Sequence, residues 1–110
     1  MTRTFIQTDE FSFRWDSLGF NDDDLRRLEF DIMMKHDKYP VIQGTGGLRK
    51  ARFAFEHRGN SGGVRVCYVD FVIKETIYLI TVYSKNEKDN LSKEEKNEIK
   101  KLIDVLEKSI

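Results

Sequence analysis

Apolar positions in this chain recur with two periods, and the switches between them mark out helices and strands. Residues 2–7, around Phe5, predict a short strand, and the polar and aromatic residues 9–18 predict a short helix. Asn21 offers a side-chain oxygen to the unpaired amides of a helix start, and Asp22, Asp23 and Asp24 put carboxylates at the positive end of its dipole. A helix is predicted from there to about His36. Leu25, Leu28 and Ile32, flanked by Phe30, Met33 and Met34, form a broad apolar stripe suited to packing on a sheet. Tyr39 and Pro40 stop it, because a residue before proline is pushed out of helical conformation.

Beyond the glycine-rich turn the period shortens to two. Residues 48–55 read as a strand with Lys50 and Arg52 on one face and Ala51, Phe53 and Phe55 on the other. The polar stretch EHRGNSGG predicts a loop closing a hairpin to a second strand, Val64–Phe71. TIYLITVYS, Thr76–Ser84, has the continuous β-branched and aromatic character of a strand in the middle of a sheet. Ser92 with Glu95 three residues on forms a capping box, and Ile99, Leu102, Ile103, Leu106 and Ile110 then recur at helical spacing. No internal repeat, linker or low-complexity block interrupts the chain, so one α+β domain spanning residues 1–110 is expected.

Composition adds exclusions. A chain of 110 residues buries roughly two thirds of its unfolded surface without a disulfide or structural metal. The single cysteine, Cys67, rules out an internal disulfide. No apolar run approaches the ~20 residues needed to span a bilayer, and the N-terminus lacks an apolar stretch of signal-peptide length. A cytoplasmic location without membrane association is therefore expected.

The net charge is zero, but its distribution is uneven. Residues 1–40 carry six Lys or Arg against nine Asp or Glu, residues 41–69 five against one, and residues 70–110 eight against nine. Affinity for phosphate depends on where cations sit rather than on their total, so the middle third is where a polyanion would bind. Lys50 and Arg52 share a strand face, Arg65 opens the next strand, and Lys85 follows the last. If the three strands are neighbours, these cations line a basic cleft across the sheet with the helices behind it.

Such a cleft suits a bent phosphodiester and the negative charge that grows on it during RNA cleavage by the 2′-hydroxyl. Crowded cations favour the neutral form of a neighbouring lysine, so Lys50 fits the role of base, while Arg52 and Arg65 steady the phosphorane. This chemistry requires no metal, cofactor or histidine pair. By themselves, Lys50 and Arg52 also fit a solvated sheet face whose charges resist aggregation. Arg58 and Lys88 fit solvated loops with phosphate contact as a secondary role, and His57 fits a polar surface loop. GTGG lacks the lysine and hydroxyl residue of a phosphate-binding P-loop and reads as a turn feeding a strand. Cys67 reads as core packing.

Three blocks, GTGGLRKARF, SGGVRVCY and IYLITVYSKNEKDNLSKEE, together resemble the RelE superfamily of bacterial type II toxins, specifically its HigB-type members. The resemblance runs from about Tyr39 onward. It implies a RelE-like α+β fold with two N-terminal helices, a mainly antiparallel twisted sheet of about four strands and a C-terminal helix. It further implies a ribosome-dependent endoribonuclease that cuts mRNA in the A site and inhibits translation. The implied partners are the ribosome, mRNA and a cognate antitoxin of HigA type with a helix-turn-helix domain, through which alone operator DNA would be contacted. Position by position, the family's basic pair matches Lys50 and Arg52, its transition-state arginine matches Arg65, and its basic residue after the last strand matches Lys85, or Asn86 if the register slips. Arg58, Asn86 and Lys88 are the expected RNA contacts.

Leu91 stands where many relatives carry a tyrosine that stacks on the substrate base, which leaves the stacking group and the general acid unassigned among Tyr83, Tyr68 and His57. Two alternatives share the architecture: a ParE-type inhibitor of DNA gyrase that does not cut RNA, and an inactive module that only binds the antitoxin.

Overall fold

The computed structural model describes residues 2–54 and 63–109. Its elements are β1 (Thr4–Gln7), α1 (Asp9–Ser17), α2 (Asp22–Lys35), β2 (Arg49–Phe53), β3 (Val64–Phe71), β4 (Thr76–Ser84) and α3 (Lys93–Lys108). Each helix start is capped by the residue before it. Thr8 accepts the Phe11 amide, and Asn21 with Asp24 and Ser92 with Glu95 both form reciprocal capping boxes. All of the loop expected over EHRGNSGG except its last residue, Gly63, lies outside the described residues, with Phe55, His57 and Arg58, as does Ile110.

The four strands form one sheet in the order β1-β4-β3-β2. β2 and β4 flank β3 antiparallel, and β1 joins β4 in parallel. The expected mainly antiparallel sheet is present, with β4 inside it. Helices cover both faces. On one face α1 and α2 bury Phe11, Trp15, Leu28 and Ile32 against Ala51, Phe53, Val64, Val66, Tyr68, Ile77, Leu79 and Val82. On the other, α3 buries Ile99 and Ile103 against Leu48, Cys67, Val69, Ile80 and Tyr83. A register shift at Cys67/Tyr68 pairs Cys67 with Thr81 but Tyr68 with Leu79, so an extra β4 residue is accommodated there. Ile80 and Tyr83 consequently serve the same core although they are three residues apart.

Two details correct the sequence reading. Phe30 and Met34 leave 58% and 66% of their surface exposed, so the packing stripe of α2 is narrower than expected. Each lies two residues, about 200° around the helix, from a fully buried neighbour, Leu28 or Ile32. The helices also do not all stand behind the cationic face, because α3 packs on the same face as Lys50 and Arg52.

The N-terminal strand is fixed by a contact between residues far apart in sequence. Arg3 Nε donates to Asp70 Oδ1 at 2.7 Å and Arg3 Nη2 to Oδ2 at 3.3 Å, with side chains only 6% and 7% exposed. At the opposite end of α3, Lys74 in the β3–β4 turn donates to the carbonyls of Leu106 (2.8 Å) and Glu107 (2.7 Å). A cation at a helix C-terminus satisfies carbonyls that have no partner within the helix.

A candidate nucleic-acid interface

Leu48, Lys50 and Arg52 alternate onto the α3 face of β2; Val69, Cys67 and Arg65 do the same on β3, and Ile80, Tyr83 and Lys85 follow along β4 and just past its end. Each series runs from a buried apolar residue to a cation, because α3 covers only one end of the strands. At the uncovered end β2 finishes, β3 begins and β4 finishes, with Phe53 opposite Val64 and Val64 opposite Ser84.

This end of the sheet holds an open depression of about 310 Å³ lined by Arg52, Phe53, Ala54, Gly63, Arg65 and Lys85. Arg52 and Arg65 are direct cross-strand partners. Like charges opposite each other in a sheet destabilise it. Among the described residues, none of Arg52, Arg65 and Lys85 pairs with a carboxylate. The backbone fixes where they stand: the Lys85 amide donates to the Gly63 carbonyl at 3.3 Å, tying the end of β4 to the start of β3.

Lys50 stands one pleat from Arg52 on the same face, outside the lining of the depression, and its Nζ donates to Asn90 Oδ1 at 3.2 Å. The neighbouring Arg49 points elsewhere. Its Nη1 donates to the Tyr39 carbonyl at 2.6 Å and holds β2 to the segment after α2. Of the expected RNA contacts, Asn86 is exposed in the turn after β4, where its amide donates to Ser84 Oγ at 3.1 Å. Lys88 is already engaged: its ammonium pairs with Glu95 and lies 5.1 Å from the centre of the Tyr83 ring. Arg58 lies outside the described residues.

The tyrosines divide by face. Tyr68 belongs to the α1–α2 core, and its hydroxyl donates to the His36 carbonyl at 2.9 Å, so it is removed as a stacking group or acid. Tyr83 is on the cationic face opposite Arg65 but only 1% exposed. Burial, reinforced by Cys67, pushes its phenol up to about 12, and its hydroxyl has no hydrogen-bond partner among the described residues. His57 lies outside the described residues. Leu91, in the tyrosine's expected region, is 6% exposed and packs with Tyr83, Cys67 and Ile99.

Among the described residues no three His, Cys, Asp or Glu side chains group as metal ligands, and no helix is long and apolar enough to cross a membrane. The GTGG turn is built for structure. Thr45 is buried, its hydroxyl donating to the Ile42 carbonyl at 2.6 Å and accepting the Leu48 amide at 3.1 Å. Gly46 has φ +80°, in the left-handed region, and lies against Ile103 of α3.

Comparison with one solved structure supports the architecture. Escherichia coli toxin RelE, as a double mutant in the free state, superposes with a TM-score of 0.55 at 12% identity, covering 81% of this chain and 90% of that one. At this identity the likeness is one of fold. The intact E. coli RelBE toxin-antitoxin complex also matches, with a TM-score of 0.49 at 12% identity over 74% of this chain and 94% of its own. In sequence, the family model described as the RelE toxin of the RelE / RelB toxin-antitoxin system matches residues 40–109, which contain β2, β3, β4 and α3 and every cation of the basic face. Since that match covers well over half of the 110 residues, this chain belongs to the RelE toxin family of toxin-antitoxin systems.

Proposed function

We propose that this RelE-family toxin is a ribosome-dependent endoribonuclease that cuts mRNA in the A site. The observation that carries the reading is the direct pairing of Arg52 with Arg65 beside Lys85, in a depression with no carboxylate partner for any of the three among the described residues. A sheet that sets two arginines opposite each other accepts a repulsion that a bound phosphate would relieve. In the proposed reaction Lys50 removes the proton of the 2′-hydroxyl, whose oxygen attacks the adjacent phosphorus. The 5′-oxygen of the next nucleotide leaves and takes up a proton from water, giving a 2′,3′-cyclic phosphate and a free 5′-hydroxyl. Arg52 and Arg65 stabilise the doubly charged phosphorane, and Lys85 holds the strand beside them.

Arg58 and Asn86 are proposed as outer RNA contacts, and Lys88 joins them if its pairing with Glu95 opens. With zero net charge, the chain depends on the ribosome to orient the substrate, and cutting of free RNA is expected to be weak. The neutralising partner is proposed to be an antitoxin of the HigA type with a helix-turn-helix domain.

The test is a purified translation reaction in which new mRNA 5′ ends are mapped against the A site. Ribosome-dependent cuts that fall to a small residual rate in Lys50→Ala and Arg65→Ala support the reading. Intact mRNA where the protein still arrests growth moves the assignment to a gyrase-type inhibitor, and no growth effect moves it to an inactive antitoxin-binding module.

A further inference from the structure

The segment between β4 and α3, residues 85–92, is pinned on both sides of Asn90. Lys88 pairs with Glu95 and covers the Tyr83 ring, Leu91 is buried with Cys67, Tyr83 and Ile99, and Ser92 begins α3 through its capping box. Asn90 itself is exposed, yet its backbone position is set by these neighbours, and its amide oxygen meets the Lys50 ammonium at 3.2 Å. An ammonium offers only donors, so the amide must present its oxygen.

We infer that Asn90 is a positioning residue that holds the Lys50 amine beside the Arg52–Arg65 depression through this hydrogen bond. The inference rests on the nuclease reading. Lysine is a flexible chain that otherwise distributes its amine over many rotamers, and proton transfer needs it in one place. A neutral acceptor orients the amine without the pull of a full negative charge, which would favour the ammonium and oppose its use as a base. Among the described residues, the other charged or titratable groups around this point are Arg52 on β2, Arg65 and Cys67 on β3, Tyr83 on β4, Lys88 and Asp89 in the pinned segment, and Glu95 on α3. Leu91, which departs from the family's tyrosine, gains a role here as the anchor of the segment that presents Asn90.

The experiment measures single-turnover cleavage of ribosome-bound mRNA against pH for the full chain and for Asn90→Ala, Asn90→Asp, Lys50→Ala and the Asn90→Ala/Lys50→Ala pair. Lysine side-chain NMR spectra of the same proteins are recorded, with Lys74 as a remote control. Asn90→Ala is expected to cut roughly tenfold to a hundredfold more slowly. Asn90→Asp is expected to move the rise of rate with pH to higher pH, because a carboxylate retains the ammonium form. The double variant is expected to be no slower than Lys50→Ala, and the Lys50 signals alone to shift in Asn90→Ala.

Wild-type rate and pH profile in Asn90→Ala would overturn the inference, as would a double variant much slower than Lys50→Ala. A wild-type protein that cuts no mRNA refutes the nuclease reading instead. The spectra then decide the contact separately, and unchanged Lys50 signals in Asn90→Ala would overturn it.

Discussion

Replacing either member of the Arg52–Arg65 pair with glutamine should stabilise the fold while impairing RNA cutting. Cβ atoms of direct cross-strand partners lie about 4.5–5.5 Å apart. If the two long side chains splay to a charge separation of roughly 7 Å, Coulomb's law gives about 0.6 kcal/mol in bulk water and about 1.2 kcal/mol at half that dielectric constant. Arg52 is exposed and Arg65 half-buried, so the smaller figure is the better guide. Each single variant should therefore gain about 0.5 kcal/mol, and the double variant little more than either, because the repulsion is already gone after the first substitution. Urea unfolding of the four proteins at low ionic strength gives the coupling energy. Repeating it in 1 M salt, where the Debye length falls to ~3 Å, should largely abolish the coupling. Additive effects, destabilised single variants, or a coupling unaffected by salt would refute the reasoning that these two guanidiniums repel across the strands.

Three further outcomes follow from other parts of the molecule. Arg3→Met removes both charge-assisted hydrogen bonds to the part-buried Asp70 carboxylate and should cost about 1.5–3 kcal/mol in urea unfolding, more than loss of a surface pair. Glu95 is held below the usual carboxylate range first by its hydrogen bond from Lys88 and then by the Ser92 amide. A depressed carboxylate contributes stability above its ordinary value of 4.5 that is lost as pH falls through the folded-state value, so the deficit of Glu95→Gln seen at pH 7 should shrink progressively as the pH is lowered below 4.5. Burial pushes the Cys67 thiol up to about 12 despite the nearby Lys50 and Lys88, so iodoacetamide at pH 8 should leave the native protein unlabelled and react only once urea unfolds it.

The parts of this protein that the sequence determined are those in which cause and effect lie within a few residues. β3 and β4 occupy the predicted Val64–Phe71 and Thr76–Ser84, since β-branched runs bounded by turn residues are local signals. The caps at Asn21 and Ser92 and the alternation that sets Lys50 and Arg52 against Ala51 and Phe53 are equally local. So were the basic blocks that mark the family. The stripe of α2 was legible only in part: hydropathy identifies Phe30 and Met34 as apolar, but whether anything covers them depends on the breadth of the opposing surface.

What the tertiary structure decided depends on partners distant in sequence. The register that sets Arg52 against Arg65, the Arg3–Asp70 pair 67 residues apart and the Lys50–Asn90 contact 40 residues apart have no trace in local spacing. Nor does the docking of α3 on the cationic face, which buries Tyr83 and Leu91, engages Lys88 through Glu95 and leaves one end of the strands bare. A residue's type and period determine which side of its own strand or helix it occupies. Only the packing of one element on another decides whether that side is buried, paired or open to a phosphate.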